Sequence, residues 1–204
     1  MRLEASDASE MINQILFGEV FKVIDQRKKW VKVRLAHDQY EGWVCRKQWV
    51  EISEELYKSL AQSRMPRCSE LVGLVKNDRQ AQAITLGAAL PLFESSSQAL
   101  RVGDESYEYD GGWIEGQQSR EKLVEFALSY LNAPYLWGGR SPFGIDCSGF
   151  TQMVYQLCGH ALKRDAYQQA TQGESLSFIE EAQAGDLAFF DNAEGKIIHV
   201  GIML

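Results

Sequence analysis

Residues 146 to 150 read Asp146-Cys147-Ser148-Gly149-Phe150, a run in which an acidic residue and a cysteine precede a small and an apolar residue. Aspartate is a favoured N-cap, because its carboxylate accepts hydrogen bonds from the first free N–H groups of a helix. The run therefore predicts a helix that begins after Asp146 and places Cys147 in its first turn. The positive end of the helix dipole lies there and favours an anion such as a thiolate.

The residues that follow continue this helix. Phe150, Val154 and Leu157 fall on one helical face and are expected to pack in a core. Gly159 is suited to end the helix at its C′ position, where a left-handed backbone conformation is common. The sequence thus predicts one amphipathic helix with Cys147 at its start.

The sequence around this helix predicts an α+β domain over residues 117–204. Ser119 is a good N-cap for a helix that ends near Asn132, ahead of Pro134. The residues expected on its buried face are Leu123, Phe126, Ala127, Tyr130 and Leu131. A glycine-rich loop is expected over 137–144, a short helix over 165–172, and a final hairpin with strands at 186–190 and 196–204.

The first 116 residues have the pattern of small antiparallel β-structures. Strands are expected at 14–24, 30–35, 43–44, 84–87, 90–93 and 99–103, with a linking helix at 53–63. The run Gly111-Gly112-Trp113-Ile114 is similar to Glu41-Gly42-Trp43-Val44, which suggests a diverged repeat. We therefore expect a multidomain chain: small all-β barrels at 1–62 and 63–116, followed by the α+β domain at 117–204.

Composition excludes several classes of function. The 204 residues include 28 acidic and 21 basic side chains, for a formal charge of -7, which argues against a nucleic-acid-binding surface. No apolar run reaches the roughly 18 residues that span a bilayer. The polar first ten residues do not have the pattern of an export signal, so we expect a cytoplasmic protein, or a periplasmic or secreted one if a signal was removed.

The cysteines and histidines do not have the spacing of a metal site or a disulfide scaffold. The four cysteines form no CxxC pair and only three histidines are present, so no metal or organic cofactor is expected. Cys147 and Cys158 are about 16 Å apart along the predicted helix, too far for a disulfide. Cys45, Cys68 and Cys158 are expected to be small buried side chains.

A nucleophilic role for Cys147 requires a nearby imidazolium. Only about 3% of a thiol with an ordinary pKa is ionised at pH 7, and the helix dipole supplies only about 0.3–1 kcal/mol. His160 lies at the far end of the helix, and His37 is expected to be solvated in a polar turn. His199 lies in the strand 197–201, where a polar ring among apolar residues needs a partner. By spacing alone, a structural histidine is the alternative.

Four motifs in sequence order resemble the NlpC-type family, papain-like cysteine peptidases of bacterial cell-wall peptides. They are Pro134-Tyr135-Leu136-Trp137-Gly138-Gly139, Asp146-Cys147-Ser148-Gly149-Phe150, Gly185-Asp186-Leu187 and His199-Val200-Gly201, and the resemblance covers 119–204. The upstream motifs Leu16-Phe17-Gly18-Glu19 and Tyr40-Glu41-Gly42-Trp43 resemble bacterial Src-homology-3-type barrels of one subgroup. That subgroup cuts γ-D-glutamyl-L-diamino acid bonds in short murein stem peptides with a free amino-terminal L-alanine.

The resemblance implies a role for each matching residue. Cys147 would be the nucleophile and His199 the general base, while Tyr135, twelve residues before the cysteine, would lie near the oxyanion. Asp146 and Ser148 would cap the helix and contact substrate, with capping alone as the alternative. Asp165 would receive the substrate amine, although Ala166 stands where the family often has serine.

The first barrel would complete the amine pocket with Glu19 or Tyr40, and the alternative for both is a solvated face. A packed loop aromatic is the alternative for Tyr135.

The family orients its histidine with a third polar residue roughly a dozen positions further on. Leu204 is five residues after His199, so we expect a catalytic domain that is incomplete at its carboxyl end. Asp186, Asp191 and Asn192 are the nearby polar substitutes.

The leading hypothesis is a murein-peptide cysteine endopeptidase. The alternatives are a non-catalytic peptide-binding module and a thiol amidase or acyltransferase. Diaminopimelate and lysine both remain open as the diamino acid.

Overall fold

The structure, a computed structural model, describes residues 1–204, which form two compact units, Met1–Gly116 and Gln117–Leu204. The regular structure of the first unit is mainly β-strand, and the second unit combines helices with short strands. None of the helices is both long and apolar enough to cross a membrane.

The first unit begins with a three-stranded antiparallel sheet. Its strands are β1 (Phe21–Gln26), β2 (Trp30–Leu35) and β3 (Glu41–Cys45), hydrogen-bonded in that order. The alternation predicted for β2 is confirmed, because Val31 and Val33 are fully buried and form a cluster with Val44. Helix α1 (Glu54–Gln62) follows, capped by Ser53, whose hydroxyl accepts the Leu56 N–H at 3.2 Å.

The strand expected to begin at residue 14 does not begin until Phe21. Ile15, ahead of it, packs against the core of this sheet, whereas Phe17 joins a different core and lies edge-on to Tyr107, with ring centroids 6.4 Å apart. Gly18 has a φ of +77°, and a Cβ at this position would lie 2.2 Å from the Ala89 carbonyl oxygen. The segment is therefore a tightly packed loop, which its alternating apolar pattern does not distinguish from a strand.

Residues 63–116 form two further antiparallel sheets. The strands are β4 (Arg67–Cys68), β5 (Val72–Lys76), β6 (Ala81–Thr85), β7 (Ala99–Val102), β8 (Glu105–Glu108) and β9 (Trp113–Ile114). They are ordered β6-β5-β8-β7 and β4-β9. Residues 90–93, expected as a strand, instead form a turn in which Leu92 has a φ of 53°. Trp113 is 42% exposed whereas Trp43 is 6% exposed, so the two glycine-tryptophan corners are packed differently.

The second unit is organised around one central helix. Its elements are α2 (Arg120–Ser129), β10 (Arg140–Ser141), β11 (Gly144–Ile145), α3 (Cys147–Leu157), α4 (Ala166–Gln169), β12 (Leu187–Asp191) and β13 (Ile197–Ile202). A 3-10 turn, Ile179–Glu181, lies between α4 and β12. Helix α3 packs against α2, α4 and β13, and Met153, Val154 and Leu157 are buried on it.

Helix α2 begins where the sequence predicts, since the Ser119 hydroxyl accepts the Lys122 N–H at 3.3 Å. It ends at Ser129, three residues before the predicted end, and the turn that follows includes Asn132 at a φ of 66°. Leu131 therefore lies outside the helix and is 70% exposed, so its predicted place on the buried face is wrong.

Candidate active site

Helix α3 starts at Cys147 because Asp146 caps it. The Asp146 Oδ1 atom accepts the Gly149 N–H at 2.7 Å, as the sequence predicts for an N-cap. Cys147 is the first helical residue and its thiol is free and half-buried. The cysteine thus lies among the N–H groups that have no partner within the helix, where negative charge is favoured.

Asp146 is also the centre of a buried polar network. Its Oδ1 and Oδ2 accept the two terminal nitrogens of Arg164 at 2.9 and 2.6 Å, and Oδ2 accepts the Gly138 N–H at 2.8 Å. The Ser148 hydroxyl accepts Arg164 Nη1 at 2.9 Å. Removing one member of such a buried ion pair typically costs about 3–5 kcal/mol.

These contacts engage both side chains within the protein, and the expectation that Asp146 and Ser148 contact substrate stays a prediction. Both side chains are buried, and both Asp146 oxygens already accept hydrogen bonds from the backbone and from Arg164. The structure places Asp146 in the helix cap, as the sequence predicts, and adds an ion pair with Arg164, to which the Ser148 hydroxyl is hydrogen-bonded.

Tyr135 lies beside the start of α3. Its backbone forms a bridge with Ile145, two residues before Cys147, and its ring is 67% exposed. Partial burial, with the negative charges of Cys147 and Asp146, raises the pKa of the Tyr135 phenol, while Arg164 opposes this. A phenol that stays protonated can donate a hydrogen bond to an oxyanion.

His199 lies on β13, which packs against α3. Its neighbour Val200 is 1% exposed, whereas the His199 imidazole is exposed and lies beside the Phe190 ring, with centroids 5.7 Å apart. The expectation that this ring must find a partner inside the fold is wrong, since an exposed imidazole is solvated. No hydrogen bond joins it to the Cys147 thiol, and its role as a general base stays a prediction.

Asp186, Asp191 and Asn192, the polar residues that could replace the one that orients His199, make their contacts elsewhere. Asp186 accepts Arg120 Nη1 at 2.8 Å and the Gln183 N–H at 2.9 Å, and the hydrogen bond from Arg120 lowers the pKa of its carboxyl group. Asn192 accepts two N–H groups of its own turn. Asp191 is exposed and pairs with Ile197. The structure therefore supports neither Asp186 nor Asn192 in that role.

Asp165 is half-buried and directly precedes α4. A fully buried glutamine, Gln169, holds this short helix against α3. The Gln169 side chain donates to the Ser148 carbonyl at 2.9 Å and accepts the Thr151 hydroxyl at 2.7 Å. Asp165 is thereby fixed relative to the start of α3.

Glu19 and Tyr40 lie in the first unit. Glu19 is buried rather than solvated, accepts the Leu16 N–H at 3.0 Å and lies 4.0 Å from both His37 Nδ1 and Arg67 Nη1. His37, expected to be solvated, is only 20% exposed and lies 3.3 Å from Asp38. Tyr40 is half-buried.

Sequence reasoning missed Arg164 and Gln169. Both are polar residues at or near a short predicted helix with no apolar face, where solvation is the ordinary expectation. Their burial depends on Asp146 and Ser148, which are 18 and 21 residues away in the chain. The one signal is that both lie in the run Arg164-Asp165-Ala166-Tyr167-Gln168-Gln169, which resembles the family segment that contains the amine-binding aspartate.

The comparisons with known proteins agree with this architecture. The NlpC/P60 family profile matches residues 132–204, and that of the bacterial dipeptidyl-peptidase Sh3 domain matches residues 1–48. A Bacillus subtilis (strain 168) protein named gamma-D-glutamyl-L-lysine dipeptidyl-peptidase is 30% identical over 93% of this chain and 68% of its own length. A Bacillus cereus protein of the same name is 27% identical over 100% of this chain and 67% of its own length.

The solved structures include a crystal structure of an NlpC/P60 family protein from Bacillus cereus ATCC 10987. It superposes with a TM-score of 0.78 at 26% sequence identity and covers 95% of this chain and 70% of its own. The resemblance stated from the motifs is confirmed. An SH3-like amino-terminal domain precedes the catalytic domain, and the chain belongs to the NlpC/P60 family of cysteine peptidases.

Proposed function

We propose that this peptidase hydrolyses the γ-D-glutamyl-L-diamino acid bond of short murein stem peptides and releases L-Ala-D-Glu from a free amino terminus. The observation that carries the proposal is the place of Cys147, half-buried at the first position of α3 and adjacent to Tyr135. The Bacillus relatives that match nearly the whole chain are named for a γ-D-glutamyl-L-lysine bond, which supports lysine as one diamino acid.

The reaction follows the chemistry of a thiol nucleophile. The Cys147 thiolate attacks the γ-carbonyl carbon, and the Tyr135 phenol and the Cys147 N–H donate to the resulting oxyanion. One such donor is typically worth about 3 kcal/mol. His199, as imidazolium, gives its proton to the leaving amine while the C–N bond breaks and a thioester forms. Water then loses a proton to His199 and attacks the thioester, which releases the dipeptide and restores the thiolate.

Asp165 is the proposed partner of the substrate's free amine. An ammonium group taken out of water needs a charged acceptor, and a carboxylate supplies one. Gln169 fixes α4, which Asp165 precedes, to the helix that begins with Cys147. Glu19 has a carboxylate that is already engaged within the first unit, so Asp165 carries this part of the proposal.

The test is mass spectrometry of L-Ala-γ-D-Glu-L-Lys and its diaminopimelate counterpart after incubation with the chain. We expect release of L-Ala-D-Glu by the parent and by Cys158→Ala, the matched control, and none by Cys147→Ala. Acetylation of the substrate's amino terminus should abolish cleavage, because the uncharged amide no longer pairs with Asp165.

Other outcomes would contradict the proposal in distinct ways. Peptide binding without cleavage by the parent would support a non-catalytic binding module. A new amide product formed with an added amine would support an acyltransferase. Cleavage that persists in Cys147→Ala would overturn the assignment of the nucleophile.

A further inference from the structure

The proposed reaction leaves unused a buried arginine that lies next to the nucleophile's helix cap. Arg164 is 1% exposed, and its two terminal nitrogens bind the two carboxylate oxygens of Asp146 at 2.9 and 2.6 Å. This paired arrangement uses the planar fork of the guanidinium group, which a lysine does not reproduce. Arg164 Nη1 also donates a hydrogen bond to the Ser148 hydroxyl at 2.9 Å.

The ion pair joins three parts of the unit at one carboxylate. Asp146 accepts the N–H of Gly138, from the glycine-rich loop, and the N–H of Gly149, from the first turn of α3. Arg164 adds the segment that leads into α4. The position of Cys147 is therefore set by a carboxylate whose own position depends on Arg164.

The pair also has an electrostatic consequence for Cys147. A buried carboxylate one residue from the cysteine would oppose formation of a thiolate, because like charges repel strongly where water is excluded. The guanidinium of Arg164 cancels this charge. The same charges act on Tyr135: burial first, and then Cys147 and Asp146, raise the pKa of its phenol, and Arg164 lowers it.

We propose that Arg164 is a positioning residue for Cys147: it fixes the start of α3 through Asp146 and neutralises the carboxylate beside the thiolate. The proposal rests on the proposed function of Cys147 and names a further residue on which that function depends. The charged and titratable groups placed beside Cys147 are Asp146 at the helix cap, Arg164, which pairs with it, and Tyr135, whose phenol interacts with Cys147. Two elements packed against α3 add His199, on β13, and Arg140, on β10, and Asp165 directly precedes α4.

The experiment measures the rate of Cys147 alkylation by iodoacetamide against pH, with peptide mapping to separate Cys147 from the other cysteines. Arg164→Met leaves the Asp146 charge uncompensated, so the midpoint should rise by about one pH unit, which is roughly a tenfold loss of rate at pH values well below both midpoints. Asp146→Asn removes the opposing charge and should lower the midpoint. The double variant should return it towards that of the parent.

Two further variants separate this role from general destabilisation. Arg164→Lys keeps the charge without the fork, so its midpoint should stay near that of the parent while turnover falls. Arg120→Met removes an exposed arginine pair with Asp186 in the same unit and should leave the profile unchanged. Circular dichroism reports whether each variant folds. If Arg164→Met does not fold, the expected lowering of the alkylation midpoint in Asp146→Asn still tests the proposal.

The proposal is overturned if folded Arg164→Met keeps the parental midpoint, or if Asp146→Asn shifts it in the same direction as Arg164→Met. The proposed function fails separately, if the parent does not cleave the peptide or its Cys147 is not alkylated.

Discussion

The two ends of α3 carry the same residue type in opposite surroundings. Cys147 opens the helix, is half-buried, and adjoins the buried pair of Asp146 and Arg164. Cys158 caps the other end and is fully buried, and burial raises the pKa of its thiol to about 11. One helix thus separates a thiol suited to reaction from a thiol suited to packing.

The two ends also differ in how their backbone groups are satisfied. At the carboxyl end, Gly159 adopts a φ of 78°, the Cys158 carbonyl accepts the Gln118 N–H at 3.2 Å, and the Tyr155 hydroxyl donates to the Gly185 carbonyl at 2.6 Å. These are neutral hydrogen bonds. The amino end is held instead by a buried charge pair, which responds to any change in charge nearby.

The largest expected difference between the two ends is in thiol reactivity. In the native protein at pH 7, iodoacetamide should modify Cys147 at least a hundredfold faster than Cys158, because a thiol with a pKa of about 11 is ionised in roughly one molecule in ten thousand. Peptide mapping by mass spectrometry measures both rates in one sample. Unfolding in urea should make the two rates similar, and similar rates in the native protein would contradict the comparison.

A smaller difference between the two ends is expected in the stability lost when a glycine is replaced by alanine, at Gly149 near the start of α3 and at Gly159 after its end. A Cβ at Gly149 would lie 2.3 Å from the Gly139 carbonyl oxygen, so Gly149→Ala must displace backbone and should cost about 3 kcal/mol of stability. Gly159→Ala introduces the strain of a left-handed alanine, about 1 kcal/mol. Urea unfolding measures both.

We expect Gly149→Ala to lower turnover as well, because the glycine-rich loop would move. Equal losses of stability for the two variants would contradict this prediction, because they would mean that the backbone around Gly149 and Gly139 moves apart at little cost.

The part of the fold set by neighbouring residues could be predicted from the sequence. The Asp146 cap, the helix behind it and its end at Gly159 are all local signals, and the structure has each of them. The segment 14–20 could not be predicted, since Phe17 packs against a core built from residues far along the chain. An alternating apolar pattern does not show which core a side chain joins.

The same limit applies to the site. The cysteine and its helix cap follow from residue type and position, whereas the burial of Arg164 follows from a partner 18 residues away. His37 is expected at the surface because its turn is polar, and a solvated face is the alternative for Glu19, yet the two lie together within the first unit. Charged residues pair in the interior only where the fold brings them together, which local sequence does not report.

The smallest expected effect concerns Tyr155, on the carboxyl half of α3. Tyr155→Phe removes the hydrogen bond to the Gly185 carbonyl and should cost about 1 kcal/mol, seen as a lower urea midpoint. Turnover and the alkylation profile of Cys147 should stay within twofold of the parent, because the ion pair at the other end of the helix is untouched. A marked fall in turnover would show instead that a change at the carboxyl end of α3 alters the position of Cys147, so that catalysis depends on packing along the whole helix.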